Sequence, residues 1–160
     1  MAVFTATEAI EMAMEIEKNG EVFYNHAAAG AADERVQALF EELAVQERGH
    51  YRTFEKMLGG AQPALELPTA EYDQYDTYVR AALDNALFAG PEKAAAMAKQ
   101  AQDWETAVRA AIGFEKDTLL FFYDLRDMVR ETERETVSGI IREEKKHLRR
   151  LARMLAELAE

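Results

Sequence analysis

A chain of 160 residues is long enough to bury a core that holds a single domain without staples, and this one contains no cysteine. That absence excludes disulfides, thiolate zinc sites, iron–sulfur clusters and thiol redox chemistry, leaving carboxylate and imidazole as the ionic ligands for any metal. A formal charge of −11 opposes binding to nucleic acid or anionic membrane, and no apolar run approaches the roughly 18 residues of a membrane span. The first ten residues have no basic stretch and already carry Glu8, so a cytoplasmic location is expected.

Helical periodicity dominates from the start. Thr5 to Glu8 reads as a capping box opening a first long helix over about residues 6–29. The break at Gly30-Ala-Ala-Asp33 supplies Asp33 as the cap of a second long helix, about 33–58, which ends at Gly59-Gly60. A crossover over about 59–102 follows. It is aperiodic and proline-containing from Gln62 to Glu71, then shows one or two short helices carrying Tyr72, Tyr75, Tyr78 and Leu83, interrupted at Gly90-Pro91, where Pro suits a first helical turn. A third long helix is expected over about 103–129 and a fourth over about 131–158, with a tight link near Arg130. Two short links and one long one make an all-α four-helix bundle of two antiparallel hairpins joined by a crossover, in one domain spanning residues 1–160.

The two hairpins repeat one pattern. Glu15-Ile-Glu17-Lys-Asn-Gly-Glu-Val-Phe-Tyr24 matches Gly113-Phe-Glu115-Lys-Asp-Thr-Leu-Leu-Phe-Phe122, and Val45-Gln-Glu47-Arg-Gly-His50 matches Arg142-Glu-Glu144-Lys-Lys-His147. Each motif falls on an apolar stripe at i+3 and i+4 steps: Ile10, Ala13, Glu17, Tyr24; Phe40, Leu43, Glu47, His50, Phe54, Met57; Val108, Ile112, Glu115, Leu119, Phe122; Val137, Ile140, Glu144, His147, Leu151, Leu155. All six polar groups therefore aim at the core. At a rise of about 1.5 Å per residue, Glu17 lies ~21 Å from the first turn and Glu47 ~24 Å from it, so they share a level. The same reasoning about Arg130 levels Glu115 with Glu144.

Four buried carboxylates are untenable without compensation, because each buried ion costs several kcal/mol even after relaxation. Two divalent cations balance the four negative charges, and neutral imidazoles complete the coordination. The expected metal ligands are thus Glu17, Glu47, His50, Glu115, Glu144 and His147, forming a carboxylate-bridged two-metal site. One Glu-x-x-His is an ordinary helical surface pair; two, each preceded by a stripe-embedded Glu at matching separation, are not.

Other acids and rings read more plainly. Glu15, Glu42 and Glu143 lie beside the stripes and are expected to be solvated; Glu21, one turn past Glu17, is ambiguous and stands outside the ligand set. His26 reads as a surface or packing residue. Tyr24 and Tyr123 read first as core aromatics, with hydrogen bonding near the metals as the alternative, and the seven Met as packing. Arg142, Lys145, Lys146, Arg149 and Arg150 form a solvated face balanced by acids at i±4.

At these motifs, and over almost its whole length, the sequence resembles the rubrerythrin branch of the ferritin-like diiron-carboxylate proteins. The resemblance implies two irons, with Glu17 and Glu115 as terminal ligands on opposite ions, Glu47 and Glu144 bridging, and His50 and His147 giving one imidazole to each. It also implies an oxidoreductase that reacts with hydrogen peroxide or dioxygen, the irons supplying the two electrons that peroxide reduction needs. Rubrerythrins carry a further Glu one turn after the third-helix ligand, which exchanges with a histidine on redox change; Thr118 stands there. They also carry a Cys-rich electron-feeding module, which these residues lack, so a separate electron-donor protein is implied. Ferroxidation in iron handling, and a non-catalytic metal-binding interaction module, are the rival readings. Manganese or a mixed Mn/Fe pair also suits the ligand types. A homodimer is expected, with the Tyr-rich crossover from Tyr72 to Leu83 covering a neighbour or swapping between chains.

Overall fold

A computed structural model describes residues 6–59, 90–101 and 103–159. Among these residues the regular structure is five helices and no strand: α1 (Ala6–Gly30), α2 (Glu34–Gly59), α3 (Pro91–Gln100), α4 (Trp104–Met128) and α5 (Glu131–Leu158). The long helices fall within a residue or so of their expected bounds. Thr5, the aperiodic stretch from Gln62 to Glu71 and the Tyr72–Leu83 segment assigned to dimerisation lie outside the described residues.

Local chemistry sets the helix starts. Asp33 Oδ1 accepts from the backbone N–H of Arg35 at 2.8 Å and of Val36 at 3.4 Å, capping α2. Asp103 Oδ1 accepts from the Thr106 N–H at 2.7 Å and caps α4. Pro91 opens α3 after Gly90, whose φ of 110° suits glycine.

Packing along the hairpins is antiparallel, since residue numbers fall along one partner as they rise along the other. Tyr24 meets Phe40, Glu21 meets Arg48 and Glu17 meets His50 between α1 and α2. Glu115 meets His147 and Tyr123 meets Lys145 between α4 and α5. The hairpins join through Tyr24 on Glu115, Glu47 beside His147 and Arg150 on Glu42, while α3 packs on α1. This is a ferritin-like arrangement.

The stripes form the core. Phe23, Tyr24, Phe40 and Phe114 make one aromatic cluster with centroids 5.4 to 6.5 Å apart, on the side of the α1–α2 turn. Phe54, Phe121 and Phe122 make a second, with Phe54 and Phe122 at 5.3 Å. The six polar residues lie between these layers. Two stripe positions, Ile112 and Leu155, are half-buried at the margin rather than central. Among the described residues no helix is long and apolar enough to cross a membrane.

Candidate metal centre

Helices α1, α2, α4 and α5 carry the six predicted residues to one level in the bundle. Glu17, Glu47, Glu115 and Glu144 are fully buried, and His147 and His50 nearly so. Nδ1 of His50 lies 2.7 Å from Glu144 Oε1 and 3.4 Å from Glu17 Oε2. Nδ1 of His147 lies 3.0 Å from Glu144 Oε2, 3.2 Å from Glu47 Oε1 and 3.5 Å from Glu115 Oε1. The imidazoles stack with centroids 5.6 Å apart at 20°. Donor atoms gather in two groups, each within 4.8 Å: Glu17, Glu47, His50 and Glu144; and Glu47, Glu115, Glu144 and His147. Glu47 and Glu144 belong to both.

Whether this donor set fits a metal pair can be judged from its hydrogen bonding. Both carboxylate oxygens of Glu17, Glu47 and Glu144, Oε2 of Glu115 and Nδ1 of both histidines are buried without a hydrogen-bond partner. The short N···O approaches therefore lack hydrogen-bond geometry, and the atoms crowd about common points rather than satisfy one another. Native interiors leave only a few polar groups unpaired per hundred residues, and here they are gathered at one place. Hard oxygen donors with one imidazole per group are the set that iron or manganese takes, so the residues fit a dinuclear centre.

Electrostatics agree. Burial, then the neighbouring carboxylates, push Glu17, Glu47 and Glu115 well above the ordinary carboxyl range. Burial would raise Glu144 too, but its contacts with His147 and His50 outweigh that and hold it low. For His147 burial works downward and is overcome by Glu115, Glu144 and Glu47, so the ring is raised; His50 is raised by Glu144. Without cations the centre keeps protons to limit its charge.

Around the six, one expectation needs correcting. Tyr24 is more than a core aromatic: its hydroxyl donates to Glu115 Oε1 from across the bundle. The repeat carried a signal for this, because Phe122 stands at the matching place and only Tyr24 keeps a hydroxyl. Tyr123, in contrast, lies at the margin, with Arg126 and Lys145 over its ring at 5.4 and 5.3 Å. Glu21 is drawn outward to Arg48, with contacts of 2.5 and 2.6 Å, and stays out of the cluster. His26 Nδ1 sits 2.8 Å from the Val22 carbonyl. Glu15 and Glu42 are exposed and Glu143 pairs with Lys146 at 2.7 Å. The basic face of α5 is solvated as expected, but Arg150 reaches Glu42 on α2 at 2.6 Å instead of an acid one turn away. Gly20 also belongs to the site: a Cβ there would stand 2.6 Å from Glu47 Oε2 and 2.9 Å from the Phe114 ring.

Four long helices in two hairpins, with Glu, Glu-x-x-His, Glu and Glu-x-x-His at their centre, define a ferritin-like carboxylate bundle. The model of the Rubrerythrin family matches residues 8–155, and the chain belongs to that family. It is also similar in structure to a Thermotoga maritima protein described as a candidate ferritin-like diiron-carboxylate protein, with 26% identity, 98% of each chain covered and a TM-score of 0.71. No curated protein matches.

Proposed function

We propose that the protein is a non-haem diiron oxidoreductase that reduces hydrogen peroxide, drawing electrons from a separate donor protein. The observation that supports this most directly is the pair of donor groups sharing Glu47 and Glu144, whose buried oxygens have no other partner. In this reading Glu47 and Glu144 bridge, Glu17 with His50 completes one metal position, and Glu115 with His147 completes the other. A bound ferrous pair would supply one electron per ion, so that hydrogen peroxide, two electrons and two protons give two waters.

The chain's own residues hold that chemistry in place. The Tyr24 hydroxyl, kept protonated by burial and by the charges of Glu115 and Glu47, fixes Oε1 of Glu115, the oxygen that lies 3.5 Å from His147 Nδ1, and leaves Oε2 without a hydrogen-bond partner. The Phe23–Phe40–Phe114 and Phe54–Phe122 layers exclude bulk water above and below, which strengthens every electrostatic contact between them. Having no Cys, these 160 residues hold no thiolate cluster for relaying electrons, so the donor is external.

A second reading has its own support. Thr118, where rubrerythrins use an exchanging glutamate, has no carboxylate to offer, which favours ferroxidation with dioxygen over a peroxidase that works by ligand exchange. Rapid mixing of the ferrous protein with hydrogen peroxide and, separately, with dioxygen is expected to show faster oxidation by peroxide. Faster oxidation by dioxygen would support the ferroxidase, and a rate no greater than that of free ferrous ion with either oxidant would leave only a metal-binding module.

A further inference from the structure

Thr118 sits three residues past Glu115 on the buried face of α4. In the internal repeat its counterpart is Gly20, three residues past Glu17 on α1. The Gly20 position abuts the centre directly, since an added Cβ would first meet Glu47 Oε2 and the Phe114 ring. By the repeat, the Thr118 side chain occupies the matching place, toward Glu144, the counterpart of Glu47. There the chain carries a hydroxyl instead of a hydrogen atom.

That hydroxyl is unsatisfied. Thr118 is fully buried and its Oγ1 has no hydrogen-bond partner. A helical threonine ordinarily settles this by bonding the carbonyl four residues earlier, and Thr53 on α2 does so, reaching the Gly49 carbonyl at 3.1 Å. Thr118 does not use the solution open to it. A buried hydroxyl held away from its own backbone costs stability, so its retention beside the cluster calls for an acceptor that arrives from outside. The nearby carboxylate oxygens are the groups assigned to metal, and Glu115 Oε1 already accepts from Tyr24.

We propose that Thr118 is a binding residue for the small exogenous ligand of the centre, its Oγ1–H donating a hydrogen bond to a compact anion or oxygen species held between the two donor groups. This rests on the dinuclear reading above. It makes the two halves of the centre unlike, because Gly20, at the place matching Thr118, offers no donor.

Azide binding to the iron-loaded, oxidised protein tests this, followed by its ligand-to-metal charge-transfer band, with iron content measured in parallel. Thr118→Val keeps the shape and removes the donor; Thr118→Ser keeps the donor. All three proteins are expected to hold equal iron, and the metal-free Thr118→Val protein to melt at or above the wild-type temperature, showing that it folds. Azide affinity is expected to fall about tenfold or more in Thr118→Val, the size of a lost hydrogen bond to a charged acceptor, and to stay near wild type in Thr118→Ser. Unchanged azide affinity in Thr118→Val overturns this inference alone. So does loss of iron in that variant, which would make the hydroxyl a support for a protein ligand. A wild-type protein that fails to hold two irons overturns the dinuclear reading and this inference with it.

Discussion

Replacing Glu47 by leucine is expected to make the metal-free protein more stable while abolishing its capacity for a metal pair. Glu47 is fully buried, neither oxygen has a hydrogen-bond partner, and burial with the charges of Glu144 and Glu17 raises its pKa strongly. Exchanging a buried polar group that makes no hydrogen bond for an apolar one of similar size removes a desolvation cost of about 1–3 kcal/mol. In a chain of this length that corresponds to about 2–4 °C of melting temperature per kcal/mol. The same change removes a donor from both four-residue groups, so the capacity for both cations goes together, whereas Glu17→Leu touches one group and is expected to spare one ion. Glu144→Leu provides the contrast, for Glu144 holds both imidazoles, and without it His50 and His147 lose their nearest carboxylate contacts; its metal-free form gains less or melts lower. Circular dichroism melts in the presence of chelator check this. A large drop in the melting temperature of metal-free Glu47→Leu would mean that the carboxylate supports the fold, contrary to the account.

The second large effect is on pH dependence. Glu17, Glu47 and Glu115 have folded pKa values raised well above the ordinary 4.5, and His50 and His147 are raised above 6.5. In each case the folded chain binds more protons than the unfolded chain above the ordinary pKa, so stability falls as pH rises, by about 1.4 kcal/mol per pH unit for every proton so held. Glu144 has the opposite sign, but its lowered pKa matters only below about pH 4.5, where unfolded carboxylates take up protons. The metal-free protein should therefore lose stability from about pH 5 to pH 8. Metal binding needs the same groups deprotonated, so the loaded protein gains on the free one over that range. Thermal melts of both forms across the interval are expected to diverge; parallel curves would show that the cluster does not control the balance.

Most of this was legible in the residues because the repeated pattern demands one geometry. A charged Glu in a stripe such as Phe40, Leu43, Glu47, His50, Phe54 has nowhere to go but inward, and levelling by helix rise follows from the turn positions alone. The Tyr24 bond was not legible, since periodicity gives a side chain's face but not which atom on a helix across the bundle its hydroxyl will reach. The role of Gly20 was hidden for a similar reason: a glycine in a helix shows only a missing side chain, and the carboxylate that needs the space comes from Glu47 on another element. Glu21 remained ambiguous until Arg48 was seen to draw it outward. For Arg150 the i±4 spacing visible along one helix points to local pairing, whereas its partner, Glu42, is 108 residues away in sequence.

On the diiron reading, the buried, otherwise unsatisfied set of four glutamates and two histidines holds two cations. Anaerobic titration of the chelator-stripped protein with ferrous iron, read by chemical analysis after removal of free metal, addresses it most directly. Two irons retained per chain, one in Glu17→Leu and none in Glu47→Leu, is the result expected. No retained iron in the wild-type chain, or the same two irons in all three proteins, would contradict it.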